Sequence, residues 1–406
     1  MKDWKEYRLG EMIQCNPQVK LEKGKSYTLI DIDSIEIGSR YVKGKELTEY
    51  DGQSGCHFQN GDTVMARITP CLENGKIAQV QCESQKGFGS TELFVFRGME
   101  NKTDSNYVFN LMSMQFIRDL AANSMTGASG RQRADLGFIK RIKWNFPPLP
   151  TQQKIASILS AYDNLIQNYK KQIEALQTAA SELYKEWFVR FRFPGWQNAE
   201  FENGIPEGWK VERLGNLFEI TSSKRVFEED YVNEGIPFYR SKEIIELSNN
   251  QEITTELFIS NELYAKFKNK FGVPKENDIL ITSVGSIGNS YQVRKDDIFY
   301  FKDGNLTWIK SSSKKAFSKY LIYWLKSDLG KNTLISSTIG TSQSALTIEK
   351  LRAIKILVPE VNILEKFEQK ISSFDIKIQI LNKQIANLTQ QRDLLLPRLM
   401  SDKLEV

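Results

Sequence analysis

From Ile155 to Trp187 the chain carries a single narrow apolar stripe. Steps of four and three residues from Ile155 reach Leu159, Tyr162, Ile166, Tyr169, Ile173, Leu176, Ala180, Leu183 and Trp187, and every position visited is apolar. The residues between include Lys170, Lys171, Gln172, Glu174 and Gln177. A stripe of this period is a heptad seam on a long helix, and it must be covered by a partner of the same shape. The chain holds that partner. The same walk from Phe367 meets Ile371, Phe374, Ile378, Leu381, Ile385, Leu388, Arg392, Leu395 and Leu399, apolar everywhere but at Arg392, in a register shifted by 212 residues (367 minus 155).

Identities repeat along with the pattern. At the same shift Lys154 falls on Lys366, Asp163 on Asp375, Gln172-Ile173 on Gln384-Ile385, Ile142-Lys143 on Ile354-Lys355 and Pro147 on Pro359. Upstream, Trp4-Lys5-Glu6-Tyr7-Arg8-Leu9-Gly10 matches Trp209-Lys210-Val211-Glu212-Arg213-Leu214-Gly215 at five of seven positions, with a shift of 205. The chain is therefore two copies of one unit, far longer than the roughly 20 to 50 residues of a solenoid repeat. A length of 406 residues accommodates two such units, each with a core of its own.

The net charge of +5, from 55 basic and 50 acidic side chains, permits a polyanionic partner without requiring one. No apolar run is long enough to span a bilayer and Met1-Lys2-Asp3-Trp4 does not begin a leader, so a cytoplasmic protein without a membrane partner is expected. Cys15, Cys56, Cys71 and Cys82 follow no zinc spacing and have no counterparts in the second copy, which reads as reduced, mostly buried thiols and no metal site. With His57 as its only histidine, the chain offers no histidine cluster, and no Ser-His-Asp triad is read around that one residue. There is no phosphate loop and no convincing Gly-x-Gly-x-x-Gly turn, so neither ATP nor S-adenosylmethionine is expected as a cofactor. Phe146-Pro147-Pro148-Leu149 lacks the Asn or Asp and the aromatic that flank Pro-Pro in adenine methyltransferases, and the copy reads Val358-Pro359-Glu360-Val361. It reads as a strand end and a helix start, with Thr151 as N-cap. No catalytic residue is assigned.

Within the first unit, Tyr27 to Ile37 alternates in a strand-like way, Gly61 to Ile68 reads as a turn leading into a strand, and further strands are expected at Lys76–Val80 and Leu93–Phe96. Tyr107 to Leu120 has helical spacing. The loop Met125 to Arg133 is small, polar and basic, and Ile339 to Ser344 stands at the same place in the second unit with Thr, Ser and Gln in place of its arginines. In both units the loop follows a helix, Phe317 to Leu329 in the second, and precedes the strand leading to the long helix. A scaffold kept while a contact surface varies is the pattern of a recognition module. Arg190 to Trp196 and Gly204 to Trp209 form a Pro, Gly and aromatic linker. In the second unit Asp278, in the turn and strand running from Glu276 to Ser283, stands where Asp62 stands in the first.

Five features together resemble the specificity subunits of Type I restriction-modification enzymes. They are Pro206-Glu207-Gly208-Trp209-Lys210, the Arg-Leu-Gly at Arg8 and Arg213, the Asp-led strands at Asp62 and Asp278, the run Pro147 to Ile155, and the paired heptad helices. The resemblance implies an α+β chain of two pseudo-symmetric mixed α/β target recognition domains separated by two long antiparallel coiled-coil helices. The expected segments are recognition domains at 1–148 and 209–358, spacer helices at 149–190 and 359–400, a linker at 191–208 and a tail at 401–406.

It further implies double-stranded DNA as partner, with each recognition domain reading half of a split sequence. By the same resemblance two methyltransferase subunits would dock on the helices and restriction subunits would join through the complex. Those partners would methylate adenine and cleave DNA, and this chain by itself is expected not to be an enzyme. Loop side chains would meet base edges and phosphates. The candidates are Arg67, Thr69, Lys76, Ser129, Arg131, Gln132 and Arg133 in the first unit, and Ser283, Ser286, Asn289, Lys302, Asn305, Thr341, Ser342, Gln343 and Ser344 in the second. The rival reading is a coiled-coil interaction scaffold that does not read DNA, but such a scaffold has no need of two duplicated α/β domains.

Overall fold

The computed structural model describes residues 3–44, 46–127, 131–249, 253, 255–311, 315–338, 345–401 and 403–404. They divide into two compact units, one of Met1–Lys171 with Leu381–Val406 and one of Gln172–Ile380. Each unit thus takes part of both long helices into its own core.

In the first unit the opening strand Lys5–Arg8 lies antiparallel to Lys143–Phe146, with Lys5 opposite Phe146 and Arg8 opposite Lys143. The chain then turns through the short helix Leu9–Met12, which packs on Leu136–Arg141. Gly10 is needed at this crossing, because a Cβ there would stand 3.1 Å from the Cβ of Lys140. The second unit repeats the arrangement with Lys210–Arg213 against Lys355–Val358, and a Cβ on Gly215 would stand 3.0 Å from that of Arg352. The repeated glycine of the Arg-Leu-Gly triplet therefore permits the same close crossing in both units.

A five-stranded sheet of the first unit runs in the order Ile13–Cys15, Leu93–Gly98, Thr63–Ala66, Ile77–Val80, Tyr41–Val42, and a four-stranded sheet in the order Leu47–Glu49, Ser26–Ile30, Lys86–Gly89, Cys56–Gln59. Thr63–Ala66 and Ile77–Val80 are buried along their whole length, which is why they read as apolar runs. The second unit has the same plan in two four-stranded sheets: Glu219–Thr221, Leu306–Lys310, Ile279–Thr282, Ser290–Gln292, and Tyr231–Val232, Phe258–Ile259, Ile236–Tyr239, Tyr300–Phe301.

The two aspartates that head the central strands do identical backbone work. Asp62 Oδ2 accepts from Gln59 N at 2.8 Å, and its carbonyl accepts from Val80 N at 2.8 Å. Asp278 Oδ2 accepts from Lys275 N at 2.9 Å, and its carbonyl accepts from Val293 N at 2.8 Å. In each unit the repeated acid closes a turn by reaching back with its side chain to the N–H three residues earlier.

Four local expectations are corrected. The stretch Tyr27 to Ile37 is a strand only over Ser26–Ile30 and passes into a 3-10 turn at Ile32–Ser34. The helix expected over Tyr107–Leu120 is two helices, Ser105–Ser113 and Gln115–Asn123, parted at the extended Met114. There the Ser113 hydroxyl bonds the Phe109 carbonyl at 2.7 Å, a local bond that competes with the helix ladder. Phe317–Leu329 is likewise Lys315–Lys326 and Asp328–Ser336, because Ser327 is extended and its hydroxyl caps the second helix at Gly330 N. Finally, the first long helix starts at Leu149, so Thr151 lies inside it and is not its N-cap.

The long helices are Leu149–Tyr184, of 36 residues, and Val361–Met400, of 40 residues, about 54 and 60 Å at roughly 1.5 Å per residue. Neither is apolar enough to cross a membrane. Within the first unit Ile155 and Leu159 share a core with Leu399 and Met400, while further along the first helix Asp163 meets Arg392. Rising numbers on one helix meet falling numbers on the other, so the pair is antiparallel. In the second unit Tyr184 and Trp187 pack on Phe367 at ring distances of 6.3 and 5.9 Å. A π-turn at Lys185–Val189 places the successive Trp187 and Phe188 in that same core, and Phe188, Phe191 and Phe193 close on Trp209.

Candidate nucleic-acid interface

Four of the first unit's candidates meet on one ribbon. Beyond the end of strand Thr63–Ala66 the chain runs antiparallel to 132–134: Ile68 bridges Arg133, Thr69 N donates to Gln132 O at 3.0 Å, and Ala134 N donates to Arg67 O at 2.8 Å. Gln132 N donates in turn to Thr69 Oγ1 at 3.2 Å. Arg67, Thr69, Gln132 and Arg133 are thereby held together, and Arg131 is exposed beside them. Ser129 lies outside the described residues. Lys76 has its backbone next to Ala66, but its Nζ is turned away, to Ile32 O at 3.0 Å and Asp33 Oδ1 at 3.4 Å.

The charges on this ribbon are organised by Glu92. Arg133 Nε reaches both carboxylate oxygens at 3.0 and 2.9 Å, and its Nη2 reaches Oε1 at 2.6 Å. The Arg133 hydrogen bond, reinforced by its charge and that of Arg67, holds the Glu92 carboxyl below the usual carboxylate range. Arg67 lays its guanidinium over the Phe94 ring at 4.9 Å, and its Nε has no hydrogen-bond partner among the described residues. A cleft of about 440 Å³ opens beside Arg67 and is rimmed by the exposed Gln18 and Lys20. Those two were missed in the sequence because nothing in their spacing sets them apart.

The loop carrying Gln18 and Lys20 is fixed by His57. Its Nδ1 is 3.0 Å from Val19 O, an acceptor, so the proton resides there, and Nε2 accepts from the Tyr50 hydroxyl at 3.2 Å. Both ring nitrogens are thus spent on structure.

In the second unit Val284 bridges Ala345, Leu346 N donates to Ser283 O at 2.9 Å, and Ser283 N donates to Asn305 O at 2.8 Å. Ser283 is a correction to the surface list: it is 3% exposed and its hydroxyl lies 2.6 Å from that of Thr307. It follows directly on the fully buried strand Ile279–Thr282, and its side chain stays inside with that strand. Ser286 is exposed on the turn between Gly285 (φ +74°) and Gly288 (φ +92°), and Asn289 Nδ2 folds back onto Ser286 O at 2.9 Å. Lys302 is exposed and Asn305 half-buried. Thr341, Ser342, Gln343 and Ser344 lie outside the described residues.

Every seam position on the two helices is withdrawn from solvent. Ile155, Leu159, Ile166, Ile173, Phe367, Ile371 and Leu381 are buried, and Tyr162, Tyr169, Leu176, Phe374, Ile378, Ile385 and Leu388 are half-buried.

The comparisons with known proteins agree with one another. The family model described as "Type I restriction modification DNA specificity domain" matches residues 1–178 and again 206–390. The Type I restriction enzyme MjaIX specificity subunit of Methanocaldococcus jannaschii is 31% identical over 307 residues, covering 74% of this chain and 68% of that protein. The MjaVIII specificity subunit of the same organism is 24% identical over 416 residues, covering 100% of this chain and 93% of that protein. Among solved structures, the S subunit of a Type I restriction-modification system from M. genitalium has the same fold, with a TM-score of 0.54, 18% identity and coverage of 98% and 96%.

Proposed function

This chain belongs to the Type I restriction-modification DNA specificity family, and from that premise we propose that each of its two units reads one half of a bipartite duplex target. The long helices set the gap between the halves and carry two methyltransferase subunits, through which restriction subunits join. Adenine methylation and ATP-dependent cleavage belong to those partners, and this chain supplies sequence choice and no bond-breaking step.

One observation carries the reading. The same three-way set of backbone bonds, Arg67 to Glu92 and Ala134 in one unit and Ser283 to Asn305 and Leu346 in the other, supports different side chains. A repeated frame with changed side chains is what two readers of different half-sites require, since phosphate contacts position a protein and only base-edge contacts specify sequence. In the first unit the frame presents two guanidiniums; in the second it presents Asn305 with Lys302 and Ser286 near by in the chain.

The test is to exchange residues 1–148 for those of another family member, with the methyltransferase subunits present, and to map methylated adenines across a genome. One half of the target should change while the other half and the gap persist. A target unchanged by the exchange, or changed in both halves, overturns the assignment.

A further inference from the structure

In the first unit Arg67 N donates to Glu92 O at 2.9 Å and Ala134 N donates to Arg67 O at 2.8 Å, and in the second Ser283 N donates to Asn305 O at 2.8 Å and Leu346 N donates to Ser283 O at 2.9 Å. The bridges Ile68 to Arg133 and Val284 to Ala345 complete the correspondence. Positions 67, 92 and 133 are thereby equivalent to 283, 305 and 345. The first set is Arg, Glu and Arg; the second is Ser, Asn and Ala.

The second unit builds this frame without a charge at any of the three places, so the frame does not need the Arg133–Glu92 ion pair. The pair is also too exposed, at 42% and 22%, to be a major source of stability. Its geometry has another effect. Glu92 grips the Nε and Nη2 edge of Arg133, fixing the plane of the guanidinium; Nη1 donates one hydrogen to Arg131 O at 3.4 Å, which leaves one hydrogen on each terminal nitrogen unused among the described residues, on a side chain 42% exposed. A guanidinium held in one plane with two donors free is a reader of the O6 and N7 acceptors of guanine. The carboxylate beside it repels phosphate and adenine N7 alike, and accepts from the cytosine amino group.

We infer that Glu92 is a specificity-determining residue, which with Arg133 makes a clasp that reads one G·C pair in the half-site of the first unit. This rests on the reading that the unit contacts DNA. Within that reading Arg133 touches the base and Glu92 acts by holding Arg133 and by excluding other partners. Arg133 is the main cause that holds the Glu92 carboxyl below the usual range, and Arg67, parked on Phe94, adds a smaller contribution of the same sign.

The experiment uses the full chain with its methyltransferase subunits and two variants that copy the second unit's own residues, Glu92→Asn and Arg133→Ala, so the frame is kept. Methylated adenines are mapped genome-wide, and binding to a random duplex is measured in parallel. For Glu92→Asn the preference for G·C at one position of the first half-site should fall about tenfold, while binding to the random duplex holds or rises because a negative charge has gone. Arg133→Ala should relax the same position and weaken random-duplex binding, and the double variant should relax it no further than Arg133→Ala alone. A merely structural clasp would instead lower both bindings together and broaden both half-sites. That result, or a Glu92→Asn map identical to the parent, overturns the clasp. A 1–148 exchange that leaves the target unchanged would overturn the DNA reading itself, whereas an exchange that switches one half beside a silent Glu92→Asn overturns the clasp alone.

Discussion

Arg40 Nη1 lies 2.9 Å from Asp163 Oδ2, with both side chains sealed from solvent at 1% and 4% exposure. The other carboxylate oxygen of Asp163 takes Arg392 Nη1 at 2.8 Å, and Arg40 Nη2 is satisfied by Asn106 Oδ1 at 2.9 Å and Gln79 Oε1 at 3.2 Å. One carboxylate thus ties the first unit's sheet body to both long helices. It also explains why the second seam is interrupted by an arginine: Arg392 sits at the apolar period because it faces an acid on the first helix.

Removing one member of a buried ion group leaves the others uncompensated, which costs more than the group contributes when whole. Asp163→Ala strands two guanidiniums and should destabilise the first unit by roughly 4 kcal/mol; Arg40→Ala, which leaves Arg392 on Asp163, should cost roughly 3 kcal/mol. Arg392 is 17% exposed and also pairs with Asp393 at 2.8 Å, so Arg392→Ala should cost only about 1 kcal/mol. Denaturant titration of the full chain checks the order, and a loss for Arg392→Ala equal to that for Asp163→Ala would contradict it.

The paired aspartates differ in what else they hold. Asp62 takes Arg97 on both oxygens, at 2.6 and 2.7 Å, whereas among the described residues Asp278 takes neutral donors, Trp308 Nε1 at 2.8 Å and Ser311 N at 2.7 Å. Replacement by Asn keeps the turn bond in both but strips the Arg97 charge of its partner in one. Asp62→Asn should therefore cost about 3 kcal/mol and Asp278→Asn about 1 to 2 kcal/mol. Thermal or chemical unfolding of the two variants decides it; equal losses would mean the turn alone sets the value of both acids.

Burial pushes the Cys15 thiol up to about 11, partly offset by Lys140, and the Cys56 thiol up to about 12. Only the thiolate is alkylated, so at pH 8 both should react more than about 100-fold slower than an ordinary cysteine near roughly 8.5. Peptide mass spectrometry after an iodoacetamide pulse should find them unmodified in the folded chain and labelled after denaturation. Labelling at equal rates in the two states would mean that these thiols are not held as described.

The seam and the repeat were legible because both are periodic over dozens of residues, and periodicity survives any local exception such as Arg392. The Asp62 and Asp278 pairing was legible for the same reason, though its turn chemistry was not. What stayed hidden depends on contacts between residues far apart in sequence. Arg40 and Asp163 are separated by 123 positions, and nothing near either marks it as buried. Glu92 was invisible beside the loop it serves, 41 residues from Arg133. Ser283 misled because a polar residue after an apolar strand reads as surface, while its hydroxyl is satisfied inside by Thr307. The helix breaks at Met114 and Ser327 lack proline or glycine and so carry no punctuation in the sequence.

The proposed role of the long helices yields the most direct length test. Both helices pass from one compact unit to the other in mid-course, between Lys171 and Gln172 in the first and between Ile380 and Leu381 in the second. Inserting seven residues at each point keeps every seam residue in phase, because a heptad returns the stripe to the same face. Each helix grows by about 10 Å at roughly 1.5 Å per residue, which is the length of about three base pairs at roughly 3.4 Å each. With the reading ribbons untouched, both half-sites should stay as they are while the gap between them widens by about three pairs. A two-residue insertion, which turns the stripe by about 200° at roughly 100° per residue, should instead break the phase, expose seam residues such as Ile166 and Leu381, and lower the unfolding midpoint. The methylated-adenine map of cells carrying each variant gives the answer base by base. Were the heptad insertion to alter a half-site and leave the gap unchanged, the helices would belong to the reading surface and would not be a ruler.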